Sequence, residues 1–150
     1  MSTVGWLARH RAWGVVAVSL LMSSACSGGS TTTSPSTTAP AAAVTTEVFA
    51  GTVPVNGSDI HNFNVTLSNG QINVILTAAG PPSTIFMGLG VGTPNADGTC
   101  TLFAGAAVTT QAGAQAQLSG TAQAGSYCVG LYDVGNQTAD ITYSITVMHY

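Results

Sequence analysis

A chain of 150 residues with two basic residues, Arg9 and Arg11, and five acidic ones has room for one modest domain plus accessory segments. No Lys or Arg follows residue 11, which excludes a basic surface able to neutralise nucleic-acid phosphates or anionic lipid headgroups. The acids Glu47, Asp59, Asp97, Asp133 and Asp140 leave the later part purely acidic, so its solubility rests on Thr, Ser, Asn, Gln and a net negative charge.

Residues 1–25 have the layout of an export signal. Arg9, His10 and Arg11 form a short positive region, and residues 12–22 form an apolar run. That run falls short of the roughly 20 apolar residues that span a bilayer. The boundary Leu21-Met22-Ser23-Ser24-Ala25-Cys26 resembles the bacterial lipoprotein signal, with Ser23 standing where that pattern usually has Leu. The resemblance implies acylation of the Cys26 thiol and cleavage just before it. Several acyl chains, at about 0.8 kcal/mol per buried methylene, make such an anchor effectively permanent. An ordinary signal cut near Ala25 and an uncleaved anchor are the alternatives. In lipoproteins of double-membrane bacteria, a residue such as Ser27 in place of Asp after the cysteine implies the outer membrane. Three cysteines are an awkward number for an exported chain, and assigning Cys26 to lipid leaves Cys100 and Cys128 as a disulfide pair. A redox or metal role for that pair lacks the CxxC spacing and the neighbouring His ligands it would need.

Residues 26–45 form a linker of Ser, Thr, Gly, Ala and Pro, interrupted by Pro35 and Pro40. Such a composition cannot bury enough apolar surface to order itself. It reads as a flexible spacer with a span of roughly 20 to 25 Å. O-linked sugars on its hydroxyls are a second reading.

The domain, residues 46–150, reads as short strands rich in β-branched residues, separated by Gly, Asn, Asp and Pro. Strands are expected at 48–55, 60–67, 71–77, 84–89, 101–106, 114–121, 126–132 and 139–148. Alternation turns Phe63, Val65 and Leu67 inward, then Ile72, Val74 and Leu76, and finally Ile141, Tyr143, Ile145 and Val147. Asn69-Gly70 predicts a type I′ hairpin between the second and third strands, because both central positions of that turn need positive φ. Asp97-Gly98 and Gly135-Asn136 mark further turns. The expected fold is all-β, a two-sheet antiparallel β-sandwich of about eight strands.

Several segments carry a resemblance. Gly57-Ser58-Asp59-Ile60-His61-Asn62-Phe63-Asn64-Val65, Gly70-Gln71-Ile72-Asn73-Val74, Gly125-Ser126-Tyr127-Cys128-Val129 with Asp133, and Tyr143-Ser144-Ile145-Thr146-Val147 together look like the bacterial pre-peptidase C-terminal (PPC) type of sandwich. The fold is thus expected to be PPC-like or jelly-roll-like. His61 stands where that pattern usually has Tyr, and the cysteine pair is not general to the family. The resemblance implies an accessory role beside secreted enzymes, or surface and matrix binding. Its collagen-binding relatives hold calcium with acids near the domain start, where this chain has only Glu47 and Asp59.

No set of residues combines a nucleophile or metal with a titratable partner and donors for developing charge. There is no Gly-x-Ser-x-Gly elbow, no HExxH and no phosphate-binding glycine loop. His61 and His149 fall on inward parity and, with Asp133 or Asp140, are the candidate zinc ligands; packing histidines with one hydrogen bond are the plainer reading. Asp133, Asn136 and Asp140 are the candidate calcium ligands, and turn-forming acids explain them equally well. Tyr127, Tyr132 and Tyr150 are candidates for a sugar-stacking platform, since Trp6 and Trp13 lie in the leader. The expected protein is a lipid-anchored, non-enzymatic structural or binding module. It needs no cofactor, with calcium as the alternative, and its partners are the membrane through the anchor and a ligand or protein left open, with no nucleic acid. Calcium- or glycan-binding adhesion, and an inhibitor or accessory subunit for a secreted enzyme, are the alternatives.

Overall fold

The computed structural model describes residues 42–150. The expected export signal 1–25, Cys26 and the expected linker up to residue 41 lie outside the described residues.

Eight strands follow one another: β1 Thr45–Val53, β2 Ser58–Val65, β3 Gly70–Gly80, β4 Met87–Pro94, β5 Cys100–Thr110, β6 Leu118–Ala122, β7 Gly125–Tyr132 and β8 Ile141–His149. They build two four-stranded antiparallel sheets, in the orders β1-β8-β3-β6 and β2-β7-β4-β5. This is the strand order of a jelly-roll sandwich. Of the consecutive strands only β4 and β5 pair with each other. Their connection is the expected Asp97-Gly98 turn, with Gly98 at φ 83° and its N–H donating to the Asn95 carbonyl.

The Asn69-Gly70 hairpin is therefore corrected. β2 and β3 lie in different sheets, and the turn is displaced by one residue. Gly70 N–H donates to the Leu67 carbonyl, so Ser68 and Asn69 are its central pair, and of these only Asn69 has positive φ, at 60°. Leu67 is also corrected: β2 ends at Val65 as the chain crosses between sheets, leaving Leu67 exposed rather than inward.

Elsewhere alternation and burial agree. Phe63 and Val65, Ile72, Val74 and Leu76, and Ile141, Tyr143, Ile145 and Val147 are buried between the sheets, joined by Leu89 and Leu131. Neighbours on the opposite parity, such as Thr142, face solvent, as period two demands.

β4 is buried on both faces, and its glycines explain how. Gly88, Gly90 and Gly92 share its outer face. A Cβ at Gly88 would run into the Tyr132 ring, one at Gly90 into Leu102 and one at Gly92 into the backbone of Thr101. The Cys100–Cys128 disulfide crosses the same strand, since Cys128 is registered opposite Gly92 on β7 and Cys100 opposite Pro94 on β5. Such a bridge forms and persists in oxidising compartments, which places the domain outside the cytoplasm.

β5, an edge strand, carries a large bulge. Leu102 pairs with Gly92 but Ala107 already pairs with Gly90, so residues 103–106 are looped out around Gly105 at φ 79°. An interruption of this kind spoils a long uncharged edge as a template for strand addition.

The strands run end to end, so the connections sort into two groups. Residues 54–57, 81–86, 111–117 and 133–140 lie at one end. The start of β1, the end of β8 and the other three connections lie at the opposite end, where Thr66 and Leu67 N–H groups donate to the Tyr150 carbonyl.

Candidate functional site

Two polar assemblies sit between β1 and β2, the edges where the two sheets face each other. In the first, parity puts Asp59 and His61 on the same inward face of β2. Tyr143 on β8 donates its hydroxyl proton to Asp59 Oδ2 at 2.8 Å, and His61 Nε2 lies 2.8 Å from the same hydroxyl. With that proton committed to Asp59, the Tyr143 oxygen accepts from His61 Nε2–H. His61 itself stacks on Phe49 of β1, with ring centroids 4.8 Å apart. Gly51 makes the arrangement possible, because a Cβ there would collide with Asp59 Oδ2. Burial first, then the bond to Asp59 and the charge of that carboxylate, push the Tyr143 phenol well above its ordinary value. It serves as a fixed hydrogen-bond donor.

The second assembly lies further along the same seam. His149 Nε2 is 2.8 Å from Glu47 Oε1, and the imidazole packs against Phe63 at 5.5 Å. His149 is almost completely buried, and its Nδ1 has no hydrogen-bond partner.

Acids also organise the end made by residues 54–57, 81–86 and 133–140. Asp133 Oδ1 accepts the backbone N–H groups of Gly135, Asn136 and Gln137 at 2.8, 3.1 and 3.3 Å, and Oδ2 accepts that of Asn56 at 2.8 Å. Asp140 Oδ1 accepts the Val55 N–H at 3.3 Å. Asn136 Nδ2 donates to the Phe86 carbonyl at 3.1 Å, and Gln111 Nε2 donates to the carbonyl of Thr84. One carboxylate thus pins two loops, and an amide ties in a third.

The Asn56 amide, with those of Gly135 to Gln137, holds the Asp133 carboxyl below its ordinary value against a smaller opposing effect of desolvation. A depressed folded-state pKa contributes stability that is present above the unfolded value and lost as pH falls through the lower folded value. The amides of Asn56, Gly135, Asn136 and Gln137 are accordingly expected to keep their hydrogen-exchange protection down to about pH 4, the ordinary Asp range. They should lose it together only below that. Protection lost one amide at a time, or already lost near pH 6, would contradict the clamp.

The candidate ligands do not converge. Among the described residues no three His, Cys, Asp or Glu side chains are grouped as a metal site requires. His61 is engaged with Tyr143, His149 with Glu47, Asp133 and Asp140 with backbone amides, and Asn136 with Phe86. The three tyrosines are likewise apart. Tyr127 packs between Phe63 and Phe103, at 5.8 and 6.0 Å, Tyr132 lies over Gly88, and Tyr150 touches Gly70 at the opposite end. Sequence reasoning missed the two inter-sheet assemblies and the role of Gly51. Asp59-x-His61 opposite a Phe49-x-Gly51 pair was the available signal, and it becomes legible only once β1 and β2 are known to face each other across the seam.

No family model matches the chain, and no curated protein matches it in sequence. Among solved structures, it is similar to PliG of Aeromonas hydrophila, a periplasmic lysozyme inhibitor of g-type lysozyme, at 15% identity and a TM-score of 0.45, over 70% of this chain and 86% of that one.

Proposed function

We propose that this chain is a non-enzymatic binding module, exported by its N-terminal signal and held at a bacterial membrane by a lipid on Cys26. The observation that carries the reading is the fate of the ionisable side chains. Among the described residues, all five carboxylates and both histidines are hydrogen-bonded within the domain. They close turns, clamp loops and fill the seam between sheets. Acid–base or nucleophilic chemistry needs such groups aimed at a substrate, and here they are aimed at the fold. What faces outward is mainly hydroxyl, amide and a few apolar side chains, with Asp97 and Asp140 exposed among them, and together they make a contact surface.

The anchor is supported by the Ser23-Ser24-Ala25-Cys26 boundary and by the cysteine count, since pairing Cys100 with Cys128 leaves Cys26 over. Replacing Cys26 with Ser is expected to move the protein from the membrane to the soluble fraction on cell fractionation. Retention in the membrane would mean an uncleaved leader and would overturn the lipid anchor.

A second reading, an inhibitor or accessory subunit for a secreted enzyme, is favoured by charge. A surface with five acids and no Lys or Arg beyond residue 11 suits a basic protein partner. The calcium-dependent alternative is less well supported, because the oxygens of Asp133 already accept four backbone amides.

A further inference from the structure

We propose that the end built from residues 54–57, 81–86 and 133–140 is a docking surface for a cationic protein; this rests on the reading of the chain as a binding module. Three large apolar side chains stand exposed there, Phe86 at 48% and Val55 and Val134 at 39% each. Each belongs to a different loop, and hydrogen bonds join the three loops: Val55 N–H to Asp140, Asn56 N–H to Asp133, and Asn136 Nδ2 to the Phe86 carbonyl. A surface held in place before contact avoids much of the ordering cost of association.

Beside Phe86 lies a recess of about 250 Å³, lined by Pro81, Pro82, Ile85, Thr138, Ala139 and Ile141 among others. It falls below the roughly 300 to 1,000 Å³ of pockets that enclose a small molecule. A single apolar side chain of a partner suits it better, with Phe86 and the prolines as its walls.

Charge selects the partner. Asp133 and Asp140 lie at this end, Asp59 stands at the start of β2 beside it, and no Lys or Arg occurs among the described residues to offset them. A partner with acidic groups would meet uncompensated like charge, whereas a cationic one is steered in and oriented. The same geometry disfavours a bare metal ion, since both oxygens of Asp133 are occupied by N–H groups and Asp140 and Asp59 each spend one oxygen on a hydrogen bond within the fold. What they project is a field, not a set of open ligands. The surface also lies at the far end of β1 from Thr45, where the chain comes in, so the segment ahead of the domain does not attach beside it.

The test places p-benzoylphenylalanine at position 86 of the full chain in its own cells, with a control at exposed Leu67 on the opposite end. Irradiation should link position 86, and not position 67, to one protein. With that protein purified, Phe86→Ala should weaken binding about tenfold or more. Raising the salt from about 50 to 300 mM should slow association strongly, as steering between opposite charges requires. A partner captured from position 67 alone, affinity indifferent to Phe86→Ala, or association indifferent to salt would overturn this surface and leave the binding-module reading standing. No protein captured from either end, nor from Phe103 at the bulge, would overturn both.

Discussion

The double replacement Cys100→Ala with Cys128→Ala is expected to lower the unfolding free energy by about 3–4 kcal/mol, as closing a loop over a separation of 28 residues implies in the chain-entropy model. Domains of this size are stable by only about 5–15 kcal/mol, so the loss removes a large share of the margin. The bridge crosses over β4 at Gly92, where the strand has no side chain to hold β5 and β7 apart, and Cys128 is completely buried. Alanine at that site avoids burying a new hydroxyl, so the measured loss reports the cross-link together with the small packing term of the deleted sulfur atoms. Urea unfolding of the oxidised chain against the double variant gives the number. Equal midpoints would mean that the bridge contributes nothing to stability.

Truncating Phe63 to Ala is expected to cost about 3–5 kcal/mol, the range for a large aromatic removed from a packed interior. Phe63 is 2% exposed and lies between the rings of Tyr127 and His149, at 5.8 and 5.5 Å. Its loss would leave Tyr127 with only Phe103 beside its ring and open the space beside His149, whose Nδ1 already lacks a partner. Phe63→Leu should recover most of the cost, because volume and apolarity are largely kept. Phe103→Ala, at a ring 44% exposed over the bulge, is the matched control and should cost no more than about 1 kcal/mol. If Phe103→Ala proved the more damaging of the two, the assignment of the core would be wrong.

Period-two alternation made the inward set of β8 legible, together with Ile72, Val74 and Leu76, because alternation is local and one face of each strand is buried. Cysteine arithmetic pointed to Cys100 and Cys128 for a comparable reason, with few combinations to choose among. The partner of each strand was not legible. Apart from β4 and β5, this jelly roll sends consecutive strands to opposite sheets, so Asn69-Gly70, a strong hairpin signal in isolation, falls on a crossing instead. Leu67 followed the parity of β2 into a position where β2 has already ended. The acids were harder still. Whether Asp133 holds an ion or four amides depends on how residues 54–57 and 133–140 meet, and that meeting involves positions nearly 80 apart in the chain. The pair of Asp59 with Tyr143 across the sheets, and that of Glu47 with His149 on neighbouring strands of one sheet, are more distant in sequence again. The bare face made by Gly88, Gly90 and Gly92 was not legible, because the strand expected there stopped at residue 89 whereas β4 runs Met87–Pro94.

β1 is paired with β8 along all nine of its residues, and it starts at the end opposite the loops clamped by Asp133. If tension enters through the backbone ahead of Thr45 while the loop end is gripped, the pull runs parallel to the strands. The whole β1–β8 ladder then resists in shear, with its bonds strained together. Drawing Thr45 away from Tyr150, which lies at the same end, would peel those bonds open one after another. A domain wired in this way withstands traction from one direction and yields easily to the other, a mechanical polarity that follows from strand order alone.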